Sequence, residues 1–189
     1  MKFLCVPGCS DCCIYREYYP SKEFGKIGVL LLPEEKDRME QLAKERNIAV
    51  RIIPRLAVSA NDDDGGPGRI IAYQMMGKQS NGDFCPFLDE NGRSPHGGMA
   101  CSVYSDRPLA CRAYPVIDAD KTATLDPHCQ FCKQYNSARA SLASLAGELE
   151  SLSKIKASVK AYDGQHIWRY ATATGEGRDM MSEGWVLES

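Results

Sequence analysis

The chain has 189 residues, 43% of them hydrophobic and 25% charged, with a formal net charge of −2. That length supports one compact domain with a real core and argues against a second full domain. The small net charge gives no electrostatic case for nucleic acid or an anionic membrane surface as a partner.

No apolar run nears the ~20 residues of a membrane span, and the longest, Ile27 to Leu32, is interrupted by Gly28. Lys2 is followed by only two apolar residues before Cys5, too few for the core of a secretory signal. The expected location is therefore the cytoplasm. The nine cysteines are an odd number, so they cannot all pair within one chain. In a reducing compartment such clusters serve metal binding or catalysis more often than disulfides, with hyperthermophile proteins the exception.

In chain order, the first feature is CVPGCSDCC, Cys5 to Cys13. Cys9-x2-Cys12 is a spacing at which two thiolates can turn to one metal ion, with Gly8 free to adopt the backbone geometry of the turn. Cys12 and Cys13 are adjacent, and neighbouring side chains diverge on a strand or a helix. They are expected to serve two ions, or one of them packs as a small hydrophobe. Pro33 then opens an amphipathic helix. Glu34, Glu35 and Asp37 suit its N-terminal end, Met39, Leu42, Ala43 and Ile48 form its apolar stripe, and Lys44 and Arg46 close it.

VRIIPRLAVSA and GRIIAYQMM read as two strands joined by the loop NDDDGGPG. Asp62 to Asp64 lack the alternating spacing of a calcium loop and read as a solvated turn. Residues 77–132 are loop-rich and carry Cys85, Cys101, Cys111, Cys129 and Cys132. Little regular structure is expected there, and a bound metal would hold it. From Lys133 to about Ala161, Leu142, Leu145, Leu149, Leu152, Ile155 and Val159 recur at helical spacing. This face is expected to pack on the domain rather than dimerise, because the heptad is not sustained. The tail from Thr172 is Gly- and charge-rich, with Trp185 and Val186 as residues that could tuck back.

Cys129-x2-Cys132 repeats the first spacing, and two such pairs with Cys5, Cys85, Cys101 and Cys111 around them point to metal coordination. Four thiolates on a divalent ion leave a net negative charge. Arg16, Arg107 and Arg112 are placed to offset it, or else make ordinary salt bridges. His128 stands beside Cys129 and His96 in a Gly-rich loop, each a peripheral ligand or a surface residue; His166, near Trp168, is expected to be structural. No glycine-rich phosphate loop, nucleophile elbow or internal repeat is present.

The run Cys5-x3-Cys9-x2-Cys12-Cys13, then GDFCPFLDENG, then MACSVYSDRPLACRAYPV and a late Cys129, resembles the YkgJ-type cysteine-cluster family. So does the helical segment LLPEEKDRMEQLAKERNI, and the resemblance covers roughly residues 1 to 132. It implies a zinc- or iron-chelating, or iron–sulfur-containing, domain. The ligands it implies are Cys5, Cys9, Cys12, Cys13, Cys85, Cys101, Cys111 and Cys129, with Cys132 an addition of open role. The GRSPHGGMA stretch is longer than usual in the family, which bears on where Cys101 falls. Flagellin lysine methylases resemble the family over the cluster alone.

The expected fold is α+β: a loop-rich, metal-stapled domain over 1–132 with a short hairpin and helix, and a helical extension over 133–189. The expected cofactor is an iron–sulfur cluster or iron, with a redox or protein-modifying role. The alternative is zinc in a structural or adaptor module. A protein partner or substrate is expected; nucleic acid and membrane are not.

Overall fold

The computed structural model describes residues 6–14, 28–60, 66–77, 84–94, 97–119, 123–127, 129–134, 142–171 and 184–187. Cys5, Arg16, Asp62–Asp64, His96 and His128 lie outside them. The fold is α+β, and the chain sorts into two compact units: residues 1–15 with 87–157, and residues 16–86 with 158–189. The stretch after residue 133 is thus shared between the two. Among the described residues no helix is long and apolar enough to cross a membrane.

The second unit, 16–86 with 158–189, is built on antiparallel strands β1 (Gly28–Leu31), β2 (Ile52–Ser59), β3 (Pro67–Met76), β8 (Ile167–Ala171) and β9 (Gly184–Leu187), in the order β1-β3-β2-β8-β9. Helix α2 (Pro33–Glu45) packs on β1 and β3. It begins as its sequence dictates: Pro33 stands at the first position, and Glu35 reaches back to accept a hydrogen bond from the Leu32 amide at 2.9 Å. Its buried residues are Met39, Leu42 and Ala43, the stripe read from the sequence, while Ile48 is only half-buried. Leu31, Leu32, Ala57, Ile71 and Met75 complete the core.

The hairpin β2–β3 forms where the two Ile/Val-rich runs predict it. Pro54 is tolerated inside β2 because β8 pairs only with Leu56 to Val58, leaving that stretch without a second neighbour. The register shifts between Pro54 and Leu56, and such irregularities re-aim a side chain. Arg55 is accordingly buried, 6% exposed, and donates to the Tyr170 carbonyl at 3.1 Å. Trp185 tucks back as the tail pattern predicts, its ring edge-on to Tyr170 at 5.2 Å, whereas Val186 stays exposed. Trp168 donates its indole N–H to Ser59 Oγ at 2.9 Å.

The first unit, 1–15 with 87–157, is assembled from much shorter pieces: α1 (Asp11–Ile14), β4 (Leu88–Asp89) paired with β5 (Ala100–Cys101), a 3-10 turn at Tyr104–Asp106, α3 (Leu109–Ala113), the hairpin β6 (Val116–Ala119) with β7 (Ala123–Leu125), and α4 (Gln130–Gln134). Of the helix expected from Lys133 to about Ala161, residues 135–141 lie outside the described residues. A 3-10 turn covers Leu142–Leu145 and the α-helix proper, α5, spans Ala146–Lys160. Tight 3-10 winding is common where an α-helix begins. Leu145 is buried with Val116 and Leu125, and Leu149 and Leu152 pack against that cluster, so the predicted face does pack. Ser151 is buried on α5 because its hydroxyl donates to the Gly147 carbonyl at 2.9 Å. Val159, at the far end of the stripe, is exposed.

Leu42→Ala should cost the second unit about 2–5 kcal/mol, the range for emptying a well-packed leucine site. Val186→Ala, at a side chain 45% exposed, should stay within about 0.5 kcal/mol. Urea unfolding followed by circular dichroism measures both.

Candidate metal centre

The first cysteine arm is shaped by a turn. Gly8 has φ +78°, a conformation that L residues rarely take, and the Cys9 amide donates to the Val6 carbonyl at 3.0 Å. The chain then enters α1, with the Cys13 amide on the Ser10 carbonyl at 2.8 Å. A second segment lies against this arm. The Ser10 hydroxyl accepts a hydrogen bond from the Met99 amide at 2.8 Å. A Cβ at Gly98 would meet the Cys9 carbonyl oxygen at 2.5 Å and Ser10 Oγ at 2.8 Å. Only glycine lets the 97–99 loop run that close, and the loop braces the Cys9–Ser10 backbone.

The second arm starts with the Cys129 amide on the Asp126 carbonyl at 3.1 Å and continues into α4, where the Lys133 amide meets the Cys129 carbonyl at 2.9 Å. Cys129 is buried; Cys132 is half-buried and packs on the Val116, Leu125 and Leu145 cluster. Gln130 donates its side-chain amide to the Asp11 carboxylate. Asp11 lies inside Cys9-x2-Cys12 and Gln130 inside Cys129-x2-Cys132, so the latch holds the two arms face to face. Sequence reading missed Ser10, Asp11, Gly98 and Gln130. The only signal available was the position of Asp11 and Gln130 between paired cysteines.

Cys101 and Cys111 form a third element. Cys101 sits on β5 opposite Leu88, and Ser102 fixes that corner by donating both its amide and its hydroxyl to the Phe87 carbonyl at 3.0 Å. Cys111 lies in α3, its amide on the Pro108 carbonyl at 2.9 Å. Of the arginines expected to offset thiolate charge, Arg107 works against the burial that raises the Cys101 pKa, without cancelling it, while its guanidinium also stacks on Tyr104 at 3.7 Å. Arg112 instead fastens the loop, donating to the carbonyls of Arg107 at 2.7 Å and Ser105 at 3.0 Å.

The electrostatics trace which thiols are neighbours. Burial pushes the Cys9 thiol up, a hydrogen bond from the Asp11 amide pulls it down, and the charges of Asp11, Cys12 and Cys129 add to the rise. Burial also raises Cys101, against the Val103 amide and Arg107, with Cys111 and Cys12 contributing repulsion. Cys132 is pushed up to about 12 by burial first, then by the charge of Cys129 and a hydrogen bond with it, and by Asp126. Thiols packed together resist ionisation because each thiolate disfavours the next.

Cys9, Cys12, Cys13, Cys101, Cys111, Cys129 and Cys132 all fall in the first unit, and Cys85 falls in the 16–86 segment of the second. Every described cysteine is free of disulfides. The Cys12 and Cys13 sulfurs are 3.9 Å apart, so the divergence expected of adjacent side chains does not occur: the short helix turns both to one side. Among the described residues, no three His, Cys, Asp or Glu side chains converge on a single point as a coordinated ion would require. The thiols meet pairwise. His166 is exposed in the second unit, and its carbonyl accepts from the Ser59 amide at 3.0 Å.

Two outcomes follow. Gly98→Ala should displace the Cys9 arm and speed alkylation of Cys9, at a cost of about 1–3 kcal/mol in stability for forced overpacking; thiol-labelling rates and urea midpoints check this. The raised thiols give a pH dependence of definite sign. A folded pKa above the unfolded value of 9.0 stabilises fully below pH 9, and that contribution is lost as pH climbs toward about 12. The melting temperature of metal-free protein should therefore fall as pH is raised from 8 to 11.

A protein-family model described as "CxxCxxCC: Putative zinc- or iron-chelating domain" matches residues 4–130. No curated protein and no solved structure matches the chain. The match takes in the first arm, the 97–99 brace, the Cys101 and Cys111 corner and Cys129, well over half of the sequence. The chain belongs to the CxxCxxCC family of cysteine-cluster domains.

Proposed function

We propose that this protein holds iron, as an iron–sulfur cluster or as iron alone, through the thiolates of Cys9, Cys12, Cys13, Cys101, Cys111 and Cys129. The family resemblance adds Cys5 and Cys85 to that set. One observation carries the reading. Residues drawn from far apart in the chain bring reduced thiols within electrostatic reach of one another, with the two arms latched by Asp11 and Gln130.

The donor set fits such a group in kind. Thiolates are soft ligands that select iron–sulfur centres, zinc and copper(I) over hard cations. Amide hydrogen bonds to the Cys9 and Cys101 sulfurs, from Asp11 and Val103, favour the thiolate form, and so does Arg107 beside Cys101. The 3.9 Å between the Cys12 and Cys13 sulfurs is close to the roughly 3.8 Å edge set by a tetrahedral ion with bonds to sulfur of about 2.3 Å. That edge suits centres in which one metal atom takes two thiolates. Bound iron would supply one-electron chemistry, and a redox or protein-modifying role with a protein substrate goes with it. Thiols kept reduced suit the cytoplasm.

A zinc-bound module without catalysis is the second reading. What favours it is the construction of the first unit, whose elements before α5 span only two to five residues each and whose apolar cluster rests on Val116, Leu125 and Leu145. A metal that staples such a unit contributes folding energy outright.

Metal and acid-labile sulfide analysis, with a visible spectrum, on protein purified without oxygen separates the readings. The expected result is iron with matching sulfide and a brown colour, lost in Cys9→Ser and Cys12→Ser. Zinc without colour, with unfolding on chelation, would establish the second reading. Metal-free protein with its thiols oxidised in pairs would overturn both.

A further inference from the structure

Two sulfurs lie side by side at the end of the first arm. Cys12 and Cys13 turn to one side of α1, their Sγ atoms 3.9 Å apart, and both residues are only half-buried. The backbone that carries them is already held. The Cys13 amide donates to the Ser10 carbonyl at 2.8 Å, the Ser10 hydroxyl accepts from the Met99 amide at 2.8 Å, and Gly98 lies against the Cys9 carbonyl. A ligand that takes both thiols therefore meets them in order, which lowers the cost of binding. A disulfide does not suit the pair. Adjacent Cα atoms stand about 3.8 Å apart across a trans peptide, short of the roughly 4.4–6.8 Å that a relaxed disulfide spans. A single atom bonded to both sulfurs escapes that limit, because it enters the gap instead of closing it.

We infer that Cys12 and Cys13 form a binding site for monosubstituted trivalent arsenicals, R–As(OH)2, which have two exchangeable positions and take two thiols. The reaction is a condensation. Each thiol proton leaves with an arsenic-bound hydroxide as water, and two As–S bonds replace two As–O bonds. Arsenic stays trivalent, so no oxidant or reductant takes part. The fold supplies what this ligand class needs: soft sulfur donors for a soft acceptor, set as a pair at one point. Holding the two thiols on neighbouring residues makes the second bond an intramolecular step, worth about 10²–10⁴-fold in affinity over one thiol. The inference does not rest on iron or zinc being bound; a metal on the same pair would compete with the arsenical.

Titration of the reduced full chain with phenylarsine oxide, before and after metal removal by a chelator, tests this. The thiols left over are labelled with iodoacetamide and located by mass spectrometry. The first equivalent taken up should remove labelling at Cys12 and Cys13 together and leave Cys101, Cys111 and Cys132 labelled as before. More arsenical should be needed where a metal already holds the pair. Protection of another pair, such as Cys129 and Cys132, with Cys12 and Cys13 still labelled, would overturn the inference. This mapping is made on the unaltered sequence, so it needs no variant to fold. In a second measurement, Cys12→Ser and Cys13→Ser should each weaken binding by about 10²–10⁴-fold, the loss of the intramolecular second bond, while Cys132→Ser binds as the wild type does. Wild-type affinity in either of the first two variants would overturn the inference, and so would an equal loss in Cys132→Ser. Arsenical uptake at this pair by a chain that holds neither iron nor zinc would remove the metal reading and leave this site standing.

Discussion

The latch between Asp11 and Gln130 is the contact on which the rest of the first unit depends. Neither arm carries enough apolar surface to hold itself: Val6, Pro7 and Gly8 are half-buried or exposed, and α4 is barely more than one helical turn. What fixes the arms is polar and local. The two C-x2-C turns are set by backbone hydrogen bonds, the Ser10 hydroxyl is held by the Met99 amide, and Gly98 gives the bracing loop room to approach. A charged hydrogen bond between the arms then places their thiols opposite each other, with the charge adding to its strength. Hydrophobic burial enters at Cys129, itself buried, and where Cys132 meets Leu145 and its neighbours.

The second unit depends on the opposite physics. Its sheet and helix are stabilised by buried aliphatic side chains, and its polar features are accommodations to that packing. The bulge in β2 turns Arg55 inward, and the Tyr170 carbonyl satisfies it. One chain thus carries a unit built on a sheet and helix, and another in which buried Phe87, Leu88, Val103, Val116, Leu125 and Leu145 support cysteine arms held by hydrogen bonds. The difference follows from composition. Ile, Leu, Val and Met recur through 50–58 and 70–76, whereas five of the nine cysteines and five of the ten prolines fall between 84 and 132.

The sequence was legible wherever a local pattern decides the outcome. Pro33, Glu35 and the Met39, Leu42, Ala43 stripe specify α2 almost residue by residue, and the paired Ile/Val runs specify β2 and β3. Thiol spacing alone marks the two cysteine arms. Contacts between distant residues were not legible. IWRYA, residues 167–171, has strand-forming side chains but is too short to declare itself beside a helical pattern. It becomes β8 only because β2 offers a free edge. The adjacent Cys12 and Cys13 were expected to diverge, and the short α1 turned them together. Nothing in the sequence tells that Gly98, with its neighbours, would brace Cys9, because that role exists only once the loop has closed. The division into units was equally hidden, since each is built from two segments separated along the chain.

The separation of the two arms has a consequence for how the protein is made. Asp11 and Gln130 are 119 residues apart. At a synthesis rate of about 5–20 residues per second, the first arm leaves the ribosome roughly 6–24 s before the second exists. Throughout that interval the first arm lacks its facing arm, and strands β1, β2 and β3 emerge between the two. Any ion captured early would be held by the first arm alone and be open to exchange. The order of assembly written into the chain is therefore the β2–β3 hairpin first and the thiol arms paired later, once the second arm has emerged.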